Sequence, residues 1–344
     1  MTPTPTISVV VLAFGAEVYL AEAVSSVLSS TGLDTEVVVI DNGARQAVSQ
    51  LTPDDRLRVV QAPCNLGFAG GCNYGARRAR GETLVFLNSD AKVGASAIAT
   101  LAEAAHRPGV GIAGGLVLLA DEPQRVNSAG NPVHYLGFVW AGGFGDCAPA
   151  HDLPHDVTAA SGAFFALRRE VWTALRGFDE QFFAYHEDAD LSLRCWQQGL
   201  AVRLYPAATA WHHYEFSRNP DKHYLVERNR LLMVLTVYPG RLLRLILPML
   251  VAFEIAVCCE ALLEGWLGAK LRGWFWLIRN MRHVLRRRRV VQAESQVPLL
   301  DLVRLLCASV DPGSASRPAM ARAANVALEA NWRLIVQRLD RATI

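Results

Sequence analysis

The N-terminal part of the sequence alternates runs of β-branched residues with helical patterns. Ile7–Phe14 and Glu36–Ile40 are two such runs, and Tyr19–Leu28 between them has apolar residues at helical spacing. Leu57–Gln61 and Thr83–Leu87 continue the alternation as further predicted strands. Because strands that alternate with helices usually become parallel neighbours, the sequence predicts an α/β fold with a doubly wound, mostly parallel sheet.

Polar residues stand where two of these predicted strands end. Asp41 follows the second strand, and Asn88, Ser89 and Asp90 follow the fourth. Ligands of doubly wound sheets bind at the carboxyl ends of the strands. A carboxylate there is well placed to hold a hard divalent cation that it shares with a substrate phosphate, although a strand-end aspartate can also simply cap the next helix.

A glycine-rich segment, 65–73, precedes a predicted helix over Gly70–Arg80. It contains three glycines and two asparagines. Bare backbone amides in such a segment favour a ribose or a phosphate, and a plain turn is the alternative. The segment does not match G-x-G-x-x-G, which disfavours a dehydrogenase.

The densest group of carboxylates lies in Gly177–Leu191, which mixes five acidic residues with aromatic ones. Aromatic neighbours desolvate carboxylates and like charges crowd them, so their pKa values rise, which suits a general base. Glu187 or Asp190 alone would also fit the acidic start of a helix. His212 follows a strand-like segment and is a candidate to join Asp90 on a metal ion, although a lone histidine is more often structural.

Charge divides the chain into two parts. Residues 1–240 contain 18 Lys and Arg against 24 Asp and Glu, a net charge of −6, whereas residues 241–344 contain 16 against 8, a net charge of +8. A chain of 344 residues exceeds what one compact core usually covers, so we predict two domains, over 1–240 and 241–344. The seven cysteines form no C-x-x-C pair and no leader pattern is visible, which is typical of a cytoplasmic protein with reduced thiols.

The C-terminal part is apolar and basic. Charged residues interrupt the apolar run Leu242–Leu263, so this run is a weak candidate for a membrane span. The next segment places Trp274, Leu277, Ile278, Met281 and Leu285 on one helical face, and Arg272, Arg279, Arg282 and Arg286 on another, before four consecutive arginines at 286–289. This pattern predicts a helix that lies on an anionic membrane surface, with an ordinary surface helix as the alternative. The acidic N-terminal part argues against nucleic-acid binding.

Several motifs, in order, resemble the inverting glycosyltransferases of family 2, which have the GT-A fold, and especially their bacterial rhamnosyltransferase-like branch. The resemblance covers roughly Ile7 to Tyr238. Val37–Gly43 is similar to the family's nucleotide-binding strand, Asn65–Gly75 to its donor loop, and Phe86–Asp90 to its DXD motif. The resemblance implies a nucleotide-sugar donor held by Asp41, Asn65, Gly67, Asn73, Asn88, Ser89 and Asp90, with Asp90 on a divalent cation, Mg²⁺ or Mn²⁺.

The second half of the motif series resembles the acceptor side of the family. Gly162–Trp172 and then 177–191 are similar to its acceptor-side strand and ED motif, and 206–217 is similar to a segment with a metal-binding histidine. The resemblance implies that Asp188 is the catalytic base with Glu187 beside it, and that His212 is the second metal ligand. The candidates for acceptor binding are Arg168, Tyr185 and Trp211. The first DXD carboxylate is replaced by Asn88, so His212 and the donor diphosphate would supply the other ligands of the cation.

These residues together imply an inverting transfer of a sugar from a nucleotide diphosphate to a hydroxyl of a lipid-linked or cell-wall glycan. L-Rhamnose from dTDP-rhamnose is the first candidate, and UDP-sugars, including galactofuranose, stay open. The expected location is the cytoplasmic face of the plasma membrane, with peripheral attachment. A sugar nucleotidyltransferase is the first alternative, but Phe14–Leu20 lacks the glycine-rich basic loop that it needs. A non-catalytic, membrane-bound scaffold is the second, and the presence of both Asp90 and Asp188 argues against it.

Overall fold

The computed structural model describes residues 6–30, 34–213, 221–311 and 318–341. The strands in these ranges are β1 (Ile7–Ala13), β2 (Thr35–Asp41), β3 (Leu57–Gln61), β4 (Thr83–Asn88), β5 (Ala91–Val93), β6 (Val110–Leu119), β7 (Val126–Ser128), β8 (His155–Asp156), β9 (Phe164–Arg168) and β10 (Ala201–His212). The α-helices are α1 (Leu20–Leu28), α2 (Arg45–Val48), α3 (Gly67–Ala76), α4 (Ala97–Ala105), α5 (Arg169–Ala174), α6 (Glu187–Gln197), α7 (Lys222–Val237), α8 (Gly240–Leu263), α9 (Leu267–Arg279), α10 (Met281–Ala293), α11 (Leu299–Leu305) and α12 (Pro318–Asp340).

The strands form a single sheet in the order β3-β2-β1-β4-β9-β6-β10-β5, with β7 added to β6 and β8 to β10. The first four strands of this order are parallel, as are β6 and β10, and β9 runs antiparallel between β4 and β6. Every residue of β2 is buried, and β1 is buried except for one partly exposed position. Helices cover both faces of such strands, which explains their unbroken apolar runs.

The register of the sheet brings the predicted strand-end residues to one edge. Ala13 at the end of β1 pairs with Asp41, and Leu12 pairs with Asn88. The antiparallel pairing of β10 with β5 places His212 opposite Ala91, directly after Asp90. The carboxyl ends of β1, β2, β4 and β10 therefore build one edge of the sheet, as the sequence predicts.

The chain folds as two compact units. The first comprises Met1–Asn131, Ala141–Cys195 and Gly199–Phe216, and the second comprises Pro132–Trp140, Trp196–Gln198 and Ser217–Ile344. The predicted boundary at residue 240 lies after α7, whereas α7 packs against α9 and α10 within the second unit. The second unit also takes up two short segments of the earlier chain, which local sequence patterns cannot indicate.

A buried group of charged side chains joins three helices of the second unit. Arg230 on α7 and Lys270 on α9 are both fully buried and each contacts both Glu227 and Glu254. Burial alone would raise the pKa of Glu227, but the charges of Arg230 and Lys270 outweigh it and lower that pKa to about 2. Each buried charge is thus neutralised by partners on another helix or one turn away.

The C-terminal helices differ from their predicted form. The segment that was expected to be one amphipathic helix is divided at Asn280, which ends α9 and precedes α10. Helix α8 is the one helix in the described ranges that is long and apolar enough to cross a membrane. That criterion is one of length and composition only, and core helices of soluble proteins can meet it as well.

Candidate active site

Four polar side chains meet where β4, β5, β7 and β10 come together. The His212 Nε2 atom lies 3.0 Å from Asp90 Oδ1 and 3.3 Å from the Asn88 side-chain nitrogen. The His212 Nδ1 atom lies 3.1 Å from Asn127 Oδ1. Since an amide oxygen only accepts hydrogen bonds, Asn127 holds the proton on Nδ1 and directs Nε2 towards Asp90.

This cluster fits a divalent cation that is completed by a substrate. Asn88 Oδ1 is buried and has no hydrogen-bond partner among the described residues, and it lies beside Asp90 and His212. One carboxylate, one imidazole and one free amide oxygen suit Mg²⁺ or Mn²⁺, which commonly share their ligands with phosphates. In the part of the chain that the structure describes, no three His, Cys, Asp or Glu side chains form a complete metal site, so the remaining ligands would come from the substrate or water.

A second polar centre lies at the start of α6. The two carboxylate oxygens of Asp188 accept hydrogen bonds from the backbone N–H groups of Gly162, at 2.9 Å, and Ala189, at 2.8 Å. The Asn131 side chain donates a third, longer bond of 3.4 Å. Burial raises the pKa of Asp188 above its ordinary value, while these three donors act in the opposite direction. Burial outweighs the donors, so this carboxylate is more basic than a free aspartate.

Glu187 is in a different environment from its neighbour. Its side chain is buried, and its Oε2 atom has no hydrogen-bond partner among the described residues. Burial, and then the charges of Asp188 and Asp190, raise the pKa of Glu187 well above its ordinary value. Two adjacent carboxyl groups thus have different surroundings, because three donors support the anion of Asp188 and Glu187 lacks comparable support.

The turn that leads into α6 is sterically strained. Phe183, Tyr185 and His186 all have positive φ angles, of 63°, 72° and 69°. Bulky residues seldom adopt this region, and such strain persists where the surrounding structure over-determines it. The turn ends at His186, directly before Glu187 and Asp188 at the start of α6.

Two short segments connect the Asp90 centre to the Asp188 centre. The backbone N–H of Asn88 donates to the carbonyl of Ala163, at 3.0 Å, next to the Gly162 amide that binds Asp188. Asn127 contacts His212, and Asn131, four residues later, contacts Asp188. The structure therefore brings the predicted metal ligands and the predicted base to one region of the first unit. The two asparagines were missed, since an irregular segment offers no periodicity by which to place them.

Asp41, Asn65, Gly67 and Ser89 are also predicted to bind the donor, and the structure shows the surroundings of each. Asp41 lies at the sheet edge, where one carboxylate oxygen accepts hydrogen bonds from the amides of Gly43 and Ala44. Asn65 Oδ1 accepts from the Gly67 amide, and Gly67, at a φ of +67°, faces Phe183 so closely that a Cβ atom would lie 2.5 Å from it. Ser89 is buried between Asn88 and Asp90.

Asn73 is predicted to contact the donor, but its side chain binds the protein's own backbone. Its side-chain nitrogen donates to the carbonyl of Phe178, at 2.9 Å, and its oxygen accepts from the amide of the same residue, at 3.0 Å. Both ends of the amide are thus occupied within the protein, where they fasten α3 to the loop before α6. We therefore leave Asn73 out of the donor site.

Two of the three residues predicted to bind the acceptor lie away from this region. Arg168 is opposite Thr83, at the start of β4, so it stands at the other end of the sheet, where its guanidinium donates to the carbonyl of Ala105. Trp211 packs on an apolar cluster that includes Leu118, on the strand face opposite to His212. Tyr185 is the one of the three that lies beside Asp188 in sequence and in the turn before α6.

Comparison with known proteins places the chain in a family. Residues 3–231 match the family described as glycosyltransferase like family 2. The chain belongs to this family. The match covers the whole first unit from the first strand to β10 and ends within α7.

Similar proteins of this family act in polysaccharide synthesis, according to their names. The O-antigen biosynthesis protein RfbC of Myxococcus xanthus is 30% identical over 231 residues, which are 63% of this chain and 18% of that protein. The succinoglycan biosynthesis protein ExoO of Rhizobium meliloti is 32% identical over 112 residues, 32% of each chain. This chain thus spans less than a third of either relative. The N-acetylglucosaminyl-diphospho-decaprenol L-rhamnosyltransferase of Mycobacterium tuberculosis is 26% identical over 249 residues, 64% of this chain and 80% of that one.

Solved structures confirm the fold class. GalNAc-T7, crystallised with UDP, GalNAc and Mn²⁺, has a TM-score of 0.58 at 18% identity and aligns with 70% of this chain and 49% of its own. The mannosyltransferase PcManGT of Pyrobaculum calidifontis, solved with GDP-Man and Mn²⁺, has a TM-score of 0.51 at 17% identity and aligns with 98% and 85% of the two chains. The predicted GT-A type α/β fold with a helical C-terminal part is therefore confirmed.

Proposed function

We propose that this glycosyltransferase is an inverting enzyme that moves a sugar from a nucleotide diphosphate to a hydroxyl group of a glycan. The observation that carries the proposal is the partly buried carboxylate of Asp188, held by three hydrogen-bond donors, in one region with Asp90 and His212. The acceptor oxygen forms a bond to the anomeric carbon while the bond from that carbon to the diphosphate breaks. The hydroxyl proton passes to Asp188, and the bonding electron pair leaves with the diphosphate.

Asp90 and His212 are the residues that would hold a divalent cation, Mg²⁺ or Mn²⁺, with Asn88 Oδ1 as a further oxygen. When bound, the cation neutralises the charge that develops on the leaving diphosphate. Asn127 orients His212 for this contact, and Asp41, Asn65, Gly67 and Ser89 remain the proposed donor contacts at the same sheet edge. The Mn²⁺ in the two related structures supports the use of such a cation.

For the substrates, the name of one relative supports L-rhamnose as the transferred sugar. We propose dTDP-rhamnose as its donor and a lipid-linked or cell-wall glycan as the acceptor. Tyr185 is the proposed acceptor contact, because it stands in the strained turn that presents Asp188. Glu187 is the proposed positioning residue, because its buried side chain directly precedes Asp188 at the start of α6. The corresponding location is the cytoplasmic face of the plasma membrane, where lipid-linked acceptors are accessible.

The experiment has a binding step and a chemical step. Thermal unfolding is followed with a panel of dTDP-, UDP- and GDP-sugars, each with Mg²⁺, Mn²⁺ or EDTA, because a donor that binds the folded state raises the unfolding temperature. We expect dTDP-L-rhamnose with a cation to give the largest rise. The selected donor is then incubated with an acceptor, and NMR determines the anomeric configuration of the product. A product that retains the configuration of the donor would contradict direct displacement by an acceptor that Asp188 deprotonates.

A further inference from the structure

Three consecutive helices of the second unit, α8, α9 and α10, each expose apolar side chains, and α10 also exposes basic ones. On α9, Phe275 and Ile278 are 64% and 71% exposed, and on α8, Val251 and Ile255 are 51% and 61% exposed. Within each pair the residues are three or four positions apart, so each helix presents an apolar stripe to solvent. Exposed stripes of this kind on a folded unit mark a surface that another apolar medium covers.

Helix α10 adds positive charge next to an apolar stripe of its own. Met281 and Leu285 are exposed on one side of the helix, and Arg282, Arg286 and Arg289, three or four positions apart, are exposed next to them. Among the residues that the structure describes, none of these three arginines has an acidic partner within 4 Å. They are free to pair with negative groups outside the protein.

The neighbouring arginines and part of the predicted apolar face have internal roles instead. Arg287 donates to the Thr236 hydroxyl, at 2.6 Å, and Arg288 donates to the carbonyl of Tyr238, at 2.7 Å, near the end of α7. Leu277 is buried, and Trp274 donates to Glu254, at 2.9 Å. The predicted membrane face is therefore wrong in these positions, and the exposed residues define a different one.

We propose that the face formed by the exposed residues of α8, α9 and α10 docks on the surface of an anionic lipid bilayer. This docking face consists of Val251, Ile255, Phe275, Ile278, Met281, Leu285, Arg282, Arg286 and Arg289. Charge complementarity selects this occupant: the arginines match lipid phosphates and other anionic headgroups, and the apolar stripes match the boundary of the acyl chains. The proposal is independent of the sugar transfer, which takes place in the first unit.

The test measures co-sedimentation of the full chain with vesicles, without sugar nucleotide. One vesicle preparation is phosphatidylcholine alone, and the other adds phosphatidylglycerol. We expect binding to the anionic vesicles that weakens as salt is raised. The triple variant Arg282→Gln, Arg286→Gln, Arg289→Gln should partition roughly a hundredfold more weakly, because each arginine near such a surface contributes about a fivefold factor.

A matched triple variant controls for total charge. Arg56→Gln, Arg107→Gln and Arg203→Gln also remove three positive charges from exposed side chains, but those lie on the first unit in ion pairs. This control should bind the anionic vesicles like the unmodified chain. A second variant, Phe275→Ser with Ile278→Ser, removes apolar contact and should reduce partitioning by roughly tenfold or more. Circular dichroism verifies that each variant is folded.

Three outcomes would overturn the proposal. The first is equal binding to neutral and anionic vesicles, which would indicate a spanning helix instead of a charged docking face. The second is an equal loss in the two arginine triples, which would indicate an effect of total charge. The third is a change of sedimentation coefficient in the Phe275→Ser, Ile278→Ser variant without a change in vesicle binding, which would assign the face to a second copy of this chain.

Discussion

Asp188 and Glu187 show how two adjacent carboxyl groups acquire different roles from their surroundings. Asp188 accepts hydrogen bonds from two backbone amides and from Asn131, whereas Glu187 has one buried oxygen without a partner among the described residues. Burial raises the pKa of both groups, but Asp188 has the larger set of donors that favour its charged form. We therefore assign the role of base to Asp188.

Replacing Asn131 should shift the pH dependence of activity. The Asn131 amide donates to the Asp188 carboxylate and so lowers its pKa, and Asn131→Ala removes that donor. The pKa of Asp188 then rises, and the acid limb of kcat/KM moves to higher pH by about half a pH unit, given the modest net energy of one long hydrogen bond. A pH–rate profile of the variant and the unmodified chain measures this shift.

The neighbouring asparagine provides the control for that experiment. Asn127 contacts His212 and not Asp188, so Asn127→Ala should leave the acid limb in place. It should weaken cation-dependent donor binding by roughly 10- to 100-fold, as the loss of a partner behind a metal ligand usually does. An unchanged acid limb in Asn131→Ala, or the same shift in both variants, would show that Asn131 does not tune the base.

Much of the site was predictable at the level of single residues, and the exceptions have physical reasons. Asp41, Asn88, Asp90, Asp188 and His212 lie at strand ends or at a helix start, positions that local patterns can locate. Arg168 was misplaced because β9 runs antiparallel to β4, and the direction of a strand is not encoded in its own residues. Asn73 was misplaced because a glycine-rich helix start looks the same whether its asparagine contacts a ligand or the Phe178 backbone.

At the scale of secondary structure, buried strands were the most predictable elements. The expected strand Leu57–Gln61 coincides with β3, and the expected bounds of β1, β2 and β4 agree to within one residue at each end. The sequence predicts only part of the long strand β10, because Pro206 interrupts its pattern and the register with β6 shifts between Tyr205 and Thr209. The sequence predicts the type of sheet but not the order of its strands, since the pairing of distant strands depends on contacts that local sequence patterns do not contain.

The stability of the packing between α7, α8 and α9 should depend on the buried charge of Glu227. The variant Glu227→Gln leaves Arg230 and Lys270 buried with one anion fewer, so we expect a loss of roughly 3–5 kcal/mol in the free energy of unfolding. Urea denaturation measures this loss. Glu329→Gln, which breaks a partly exposed pair with Arg333, is the control and should change stability by less than about 1 kcal/mol.

The same charge predicts how stability depends on pH. The folded pKa of Glu227 is about 2, below its ordinary value of 4.5, so its contribution is complete above pH 4.5 and is lost as the pH falls towards 2. The variant Glu227→Gln should therefore show a smaller loss of stability across this window than the unmodified chain. Equal slopes for the two proteins would contradict the assigned role of Glu227.

For the whole molecule, charge and function divide between the two units. The acidic first unit contains the residues that we assign to catalysis, and the basic C-terminal helices carry the docking face. The sequence shows the same contrast in charge, since residues 241–344 alone have a net charge of +8. The exact limits needed the structure, because Pro132–Trp140 joins the second unit through contacts such as the stacking of Tyr135 on Trp332.

The measurement that tests the central claim most directly compares turnover and donor binding in Asp188→Asn. Turnover should fall by roughly 10²- to 10⁴-fold, the usual contribution of a positioned base, while calorimetry should give a donor affinity close to that of the unmodified chain. The matched control is Asp179→Asn, in the same acidic segment, whose carboxylate accepts a hydrogen bond from the nearby Gln181 amide at 3.0 Å and which should keep its turnover. Near-normal turnover of Asp188→Asn in a folded protein would contradict the assignment of Asp188 as the base.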